Sequence, residues 1–225
     1  MATILENVQG VKARIARAVR AAGRAPESVT LLAVSKTHPV ERMAQAQAAG
    51  LNAFGENYVQ EALRKMQLLS GLEWHLIGAL QSNKSRLAAE RFDWVQTVDR
   101  LRIAHRLSEQ RPAHLPPLNV LIEVNVSGEA SKSGAGVKEV TGLGAAIAKL
   151  PRLRLRGLMA IPAPGAHGDF VKMRELYDKL RAQFGCDTLS MGMSDDMEAA
   201  IAAGATMVRV GTAIFGERGP GKGTA

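Results

Sequence analysis

Lys36 closes the run Leu31-Leu32-Ala33-Val34-Ser35, and that setting decides what its amine can do. If the run is a strand, the lysine stands at its C-terminal end, partly out of water. Desolvation disfavours the ammonium form, and a neutral lysine amine condenses with an aldehyde or ketone to a Schiff base. The spacing alone equally suits a solvated strand end. Two later segments carry donors for an anion. In Met-Gly-Met-Ser-Asp-Asp-Met-Glu-Ala-Ala at 191–200, Ser194 suits a helix N-cap, with Asp195 and Asp196 in the first turn. In Arg209-Val210-Gly211-Thr212, the glycine admits close backbone approach and the threonine adds a donor.

These residues meet only if the fold gathers their segments. Short β-rich stretches at 30–35, 53–54, 74–77, 94–97, 119–125, 156–159, 188–190 and 207–210 alternate with helix-period stretches at 40–49, 58–69, 82–90, 100–109, 137–150, 170–184 and 195–203. Alternation predicts parallel strands joined by crossover helices. Eight strands at this length predict an α/β fold, a single-domain (β/α)8 TIM-type barrel, with a doubly wound sheet as the alternative. Ile4, Val8, Val11, Ile15 and Val19 mark an extra N-terminal helix over 4–23, outside the regular cycle and expected to cover the barrel's N-terminal mouth. Barrels of this type bind ligands on the loops after their strands, and the loops after strands seven and eight often take phosphate. Lys36 follows strand one, Ser194 strand seven, and Gly211 and Thr212 strand eight. The result is a pocket for a phosphorylated aldehyde, which pyridoxal phosphate and a phosphosugar satisfy alike.

The chain has 225 residues, 46% hydrophobic and 22% charged, a composition that excludes disordered, collagen-like and coiled-coil proteins. No composition shift divides it, so one domain over 1–225 is expected, with a loose Gly-rich tail at 217–225. The single Cys186 excludes an internal disulfide and any zinc site of several thiolates. His38, His75, His105, His114 and His167 lack metal-ligand spacing, and His75, inside a strand, reads as a hydrogen-bonded structural residue. The near P-loop at 216–223 has glycine where Ser or Thr should hold magnesium, which argues against nucleotide binding. The first residues do not resemble a secretory signal, and no stretch approaches the roughly 18–20 apolar residues of a membrane span. A cytoplasmic protein is expected. A net charge of +8 favours anionic ligands, but the basic side of the first helix reads as a solvated surface, so neither nucleic acid nor membrane is an expected partner.

Five ordered blocks add a resemblance. Leu-Ala-Val-Ser-Lys-Thr at 32–37, Phe-Gly-Glu-Asn-Tyr-Val-Gln-Glu at 54–61, Trp-His-Leu-Ile-Gly-Ala-Leu-Gln-Ser-Asn-Lys at 74–84, Ser-Met-Gly-Met-Ser-Asp-Asp at 190–196 and Val-Arg-Val-Gly-Thr-Ala-Ile-Phe-Gly at 208–216 resemble the YggS-like pyridoxal phosphate homeostasis family. The likeness spans almost the whole chain, and Ala79 stands where the family commonly has proline. It implies a barrel like the alanine racemase N-terminal domain. It further implies that pyridoxal 5′-phosphate is held as an internal aldimine on Lys36 beside Asn57, its phosphate on Ser194, Gly211 and Thr212, and that Arg209 faces the pyridine nitrogen.

A guanidinium in that place disfavours a protonated ring and makes the cofactor a weak electron sink. Racemisation also needs an acid–base group on each face of the substrate. Of the two tyrosines, Tyr177 reads as core and Tyr58 as an anchoring or packing residue near the mouth. The resemblance therefore favours a monomeric, non-catalytic carrier that serves apo-enzymes over a pyridoxal phosphate-dependent amino-acid racemase. A Schiff-base aldolase acting on a phosphosugar is the third reading. Lys132, in a polar loop after strand five, is a candidate to receive or pass on the aldehyde.

Overall fold

The computed structural model describes residues 2–129, 132–163 and 165–217. The first helix, α1 (Ile4–Ala21), opens on a capping box in which Thr3 Oγ1 accepts from the Glu6 N–H and the Glu6 carboxylate accepts from the Thr3 N–H. Then follow β1 (Thr30–Val34), α2 (Val40–Ala48), β2 (Ala53–Glu56), α3 (Val59–Met66) and β3 (Glu73–Leu76). A 3-10 turn, Ser82–Lys84, leads into α4 (Ser85–Arg91), β4 (Trp94–Val98), α5 (Leu101–Gln110) and β5 (Leu118–Asn125). The last part comprises β6 (Ala135–Gly136), α6 (Val140–Ile147), β7 (Leu153–Met159), α7 (His167–Phe184), β8 (Thr188–Ser190), α8 (Met197–Ala202), β9 (Met207–Val210) and α9 (Thr212–Phe215).

Eight strands close a parallel barrel in the order β1-β2-β3-β4-β5-β7-β8-β9, with β9 returning to β1. All eight predicted strands are present. The two-residue β6, absent from the sequence reading, is an extra strand paired with the end of β5. At Gly157, φ is 146° and a Cβ would stand 1.9 Å from Thr188 O, so only glycine fits between β7 and β8.

The N-terminal helix differs from expectation. It does not close the N-terminal mouth; it lies in the outer helical ring against α2, α8 and α9. The strand β9 is followed only by the four-residue α9, which leaves barrel wall uncovered, and the buried stripe Ile4, Val8, Val11, Ile15 and Val19 covers it. Between wall and helices lies one continuous apolar core that includes Phe54, Phe92, Phe170, Tyr177 and Phe215. The barrel interior is mixed: small apolar groups around Leu32, Ile77 and Met207 and around Trp94, Leu121 and Met159 accompany buried His75, Gln96, Ser190 and Arg209. The segment 218–225, most of the expected loose tail, lies outside the described residues.

Candidate functional site

A cavity of about 230 Å³ opens at the C-terminal mouth of the barrel. Lys36, Asn57, Ser194, Arg209, Gly211 and Thr212 all line it, joined by Val34, His38, Ile77, Ile161, Met193 and Asp195. Six residues from four separate stretches of the chain thus meet at one place. The parallel register makes this unavoidable, because every βα loop leaves the barrel on the same side.

Each is positioned differently. Lys36 follows β1 after one residue, and Ser35 N–H still donates to Gly55 O on β2, so the strand's direction persists up to the lysine. Asn57 follows β2. Its backbone packs so closely on Gly78 that a Cβ there would stand 2.2 Å from Asn57 O. Gly211 approaches β1 closely, where a Cβ would lie 3.2 Å from Val34 O.

Ser194 is not the helix cap that the sequence suggested, and Asp195 and Asp196 precede the helix rather than form its first turn. The helix α8 begins at Met197 with Asp196 before it, because the Asp196 carboxylate turns back to accept from Met193 N–H at 2.6 Å and closes the loop early. Ser194 Oγ instead accepts from Ala213 N–H at 3.4 Å, bridging the two loops expected to hold phosphate. Thr212 opens the short α9, which sequence reading missed; four residues give too little periodicity to detect.

Arg209 is buried within the barrel at the base of the cavity. Its Nη2 donates to Ala160 O at 2.9 Å and its Nη1 to Ser190 Oγ at 2.8 Å. Ser190 Oγ donates to Gln96 Oε1 at 2.7 Å, Gln96 Nε2 lies 2.9 Å from His75 Nδ1, and His75 Nε2 lies 2.8 Å from Glu73 Oε1. That order of donors makes His75 the Nε2–H tautomer. Burial pushes the His75 pKa down, consistent with a neutral ring, and the ring stacks on Trp94 at 5.0 Å. Burial also lowers the Arg209 guanidinium to about 10, against the opposing pull of Asp196 and Glu123, so it stays cationic at neutral pH.

The remaining candidates lie elsewhere. Lys132 lines a neighbouring cavity of about 240 Å³ with Glu123 and Ser127; Ile161 borders both spaces. Tyr177 is buried on α7, and its hydroxyl donates to Cys186 O. Tyr58 is 63% exposed and does not line the cavity. Sequence reading missed the place of His38 on the cavity wall, where it stacks on Phe215 at 5.0 Å, although its spacing two residues beyond Lys36 was a usable signal. It also missed Glu123, the charged residue of β5. Burial, then Asp99, pushes Glu123 up to about 7.

The alanine racemase N-terminal domain family matches residues 7–219. Among curated proteins, the pyridoxal phosphate homeostasis protein of Pseudomonas aeruginosa is 60% identical, covering 97% of each chain. That of Escherichia coli K12 is 57% identical, covering 97% of this chain and 98% of its own. The chain belongs to this family, among the pyridoxal phosphate homeostasis proteins. A solved member, PipY of Synechococcus elongatus with PLP bound, has a TM-score of 0.77 and 36% identity over 90% of this chain and all of its own. The alanine racemase of Corynebacterium glutamicum, at 20% identity and a TM-score of 0.71 over 92% of this chain and 60% of its own, shares the fold. No helix among the described residues is long and apolar enough to cross a membrane.

Proposed function

We propose that this chain holds pyridoxal 5′-phosphate as a Schiff base on Lys36 and serves in the cellular homeostasis of that cofactor, without substantial turnover of its own. The observation that carries the reading is the cavity that Lys36, Ser194, Gly211 and Thr212 line together with the buried cation of Arg209. The donor set suits the group: an amine for the aldehyde, hydroxyl and loop donors for the phosphate, and a guanidinium for the ring nitrogen. The Lys36 amine would hold the aldehyde end of the cofactor as a Schiff base, with the carbonyl oxygen and both amine protons leaving as water. When bound, the cofactor supplies an electron sink, which a permanent cation at its ring nitrogen keeps weak. Asn57, which follows β2, lines the cavity together with the apolar Ile77 and Ile161. The homeostatic role is supported by relatives of that name at 57–60% identity and by a 36% identical neighbour solved with PLP bound.

The racemase reading finds less support. Neither tyrosine lines the cavity, so neither stands where it could serve as the second acid–base group of that reaction. We further propose that the protein acts in the cytoplasm as a monomer and passes cofactor to apo-enzymes.

The test is a visible spectrum of purified protein with added pyridoxal 5′-phosphate, followed by borohydride reduction and peptide mapping. The expected result is a yellow protein with a reduced adduct on Lys36. No adduct on that side chain overturns the proposal. Rapid exchange of an amino acid's alpha proton would favour the racemase instead, and cleavage of a phosphosugar by a colourless protein the aldolase.

A further inference from the structure

We propose that Glu61 and Lys65 are positioning residues for Lys36: together with Glu56 they fix the peptide on both sides of it and so hold its amine at the cavity. The proposal rests on the Schiff-base reading above. On the N-terminal side, Ser35 Oγ donates to Glu56 Oε1 at 2.6 Å and Ser35 O accepts from Lys65 Nζ at 2.8 Å. On the C-terminal side, Thr37 N–H donates to Glu61 Oε1 at 2.6 Å, and Thr37 Oγ1 donates to Lys36 O at 2.6 Å. Lys65 ties the two sides together, since Nζ is 2.7 Å from both Glu56 Oε1 and Glu61 Oε1. Each of the three ammonium protons therefore has an acceptor.

The cluster is a costly construction for mere stability. Glu56 and Lys65 are buried, Glu56 Oε2 has no hydrogen-bond partner among the described residues, and apolar residues of similar volume often serve a core as well as a buried ion pair does. Thr37 adds backbone strain: at φ 65° a β-branched residue occupies the left-handed region, which persists only where its surroundings enforce it. The bond from Thr37 N–H to Glu61 is one such enforcement. All these contacts converge on residues 35–37, and none of Ser35, Thr37, Glu56, Glu61 or Lys65 lines the cavity. What they act on is the residue in the middle. Sequence order makes this economical, because Glu61 and Lys65 lie one turn apart on α3 and Glu56 ends the strand beside β1.

In chemical terms, the Lys36 amine must meet the aldehyde carbon with its lone pair aligned to form the C–N bond, the carbonyl oxygen leaving as water. A loosened peptide spreads the amine over many orientations and lowers the rate of that step, while leaving the phosphate contacts in place.

The experiment compares two probes on the full chain: pyridoxal 5′-phosphate, which forms the bond, and pyridoxine 5′-phosphate, an alcohol that cannot. Glu61→Ala is the principal variant, because it removes the Thr37 acceptor from a partly exposed site and keeps the Glu56–Lys65 pair. The expected outcome is a rate of imine formation lower by about tenfold or more, with the dissociation constant for pyridoxine 5′-phosphate changed less than twofold. Glu61→Gln, which retains a carbonyl acceptor, should restore the rate. Amide hydrogen exchange without ligand should show Thr37 N–H protected in wild type and exposed in Glu61→Ala. An unchanged imine rate in Glu61→Ala, or an equal loss of both probes, overturns the positioning role. Failure of wild type to form any adduct on Lys36 overturns the cofactor reading instead, and this proposal falls with it.

Discussion

Lys36 and Lys132 stand on the same mouth of the barrel, one after β1 and the other after β5, and each borders a cavity. Their surroundings differ. The peptide around Lys36 is seated on a buried ionic cluster, with Lys65 Nζ 2.7 Å from Glu56 and the acceptor of Thr37 N–H supplied by Glu61. Lys132 is held by Glu129, 2.7 Å away, in a pair whose side chains are 33% and 44% exposed. Two lysines of identical chemistry thus receive very different amounts of organisation. A residue that must present an amine at one point needs its backbone fixed, whereas a mobile contact needs only charge and reach.

Five outcomes would break or sharpen that contrast. The largest concerns the adduct: Lys36→Ala should abolish the visible band and the borohydride-trapped peptide, and Lys132→Ala should leave both in place. A band retained in Lys36→Ala would place the aldehyde on another amine. Next, Lys65→Met should cost about 3–5 kcal/mol in chemical denaturation, since it strands the buried Glu56 carboxylate without its cation. A loss below about 1 kcal/mol would mean that the cluster is wet or already neutral.

The third outcome is a pH dependence centred between the two loops. Glu123 borders the Lys132 cavity and is pushed from its ordinary 4.5 up to about 7, by burial first and by Asp99 second. A carboxyl raised in the folded state stabilises fully below its unfolded value and loses that contribution as pH rises through its folded value. The melting temperature should therefore fall as pH rises from about 4.5 to about 7 and level off above that, and Glu123→Gln should flatten part of that slope. Parallel profiles for wild type and variant would show that Glu123 titrates elsewhere. The smallest effect belongs to Glu129→Gln, expected to change stability by about 0.2–1 kcal/mol, because an exposed pair gains little over its hydration. The Lys132→Ala variant, assayed for cofactor transfer to an apo-enzyme, tests whether that lysine takes part; unchanged transfer would remove it from the scheme.

Much of the fold was legible from the chain because barrel strands are short apolar runs separated by helix-period segments, and all eight were found. Elements too short to carry a period were not. The strand β6 has two residues and α9 four, and neither has a pattern to read. The place of α1 was misjudged for a related reason: its apolar stripe declares that a face is buried, but the uncovered wall beside β9 is a property of the assembled ring. At the site, Ser194 kept its place on the cavity and lost its role as cap, because Asp196 won the competition for the loop's donors through its bond to Met193 N–H.

The sequence by itself determined the order of strands and helices, the lysine at the end of β1, and the donor-bearing loops after β8 and β9, since these depend on residue type and local period. Tertiary structure alone decided the rest. The chain from Arg209 through Ser190, Gln96 and His75 to Glu73 joins residues from four strands, and the cluster beneath Lys36 joins a strand end to a helix. Such contacts form only when the barrel closes and water leaves its interior, where an unpaired polar group becomes costly enough to dictate its partner.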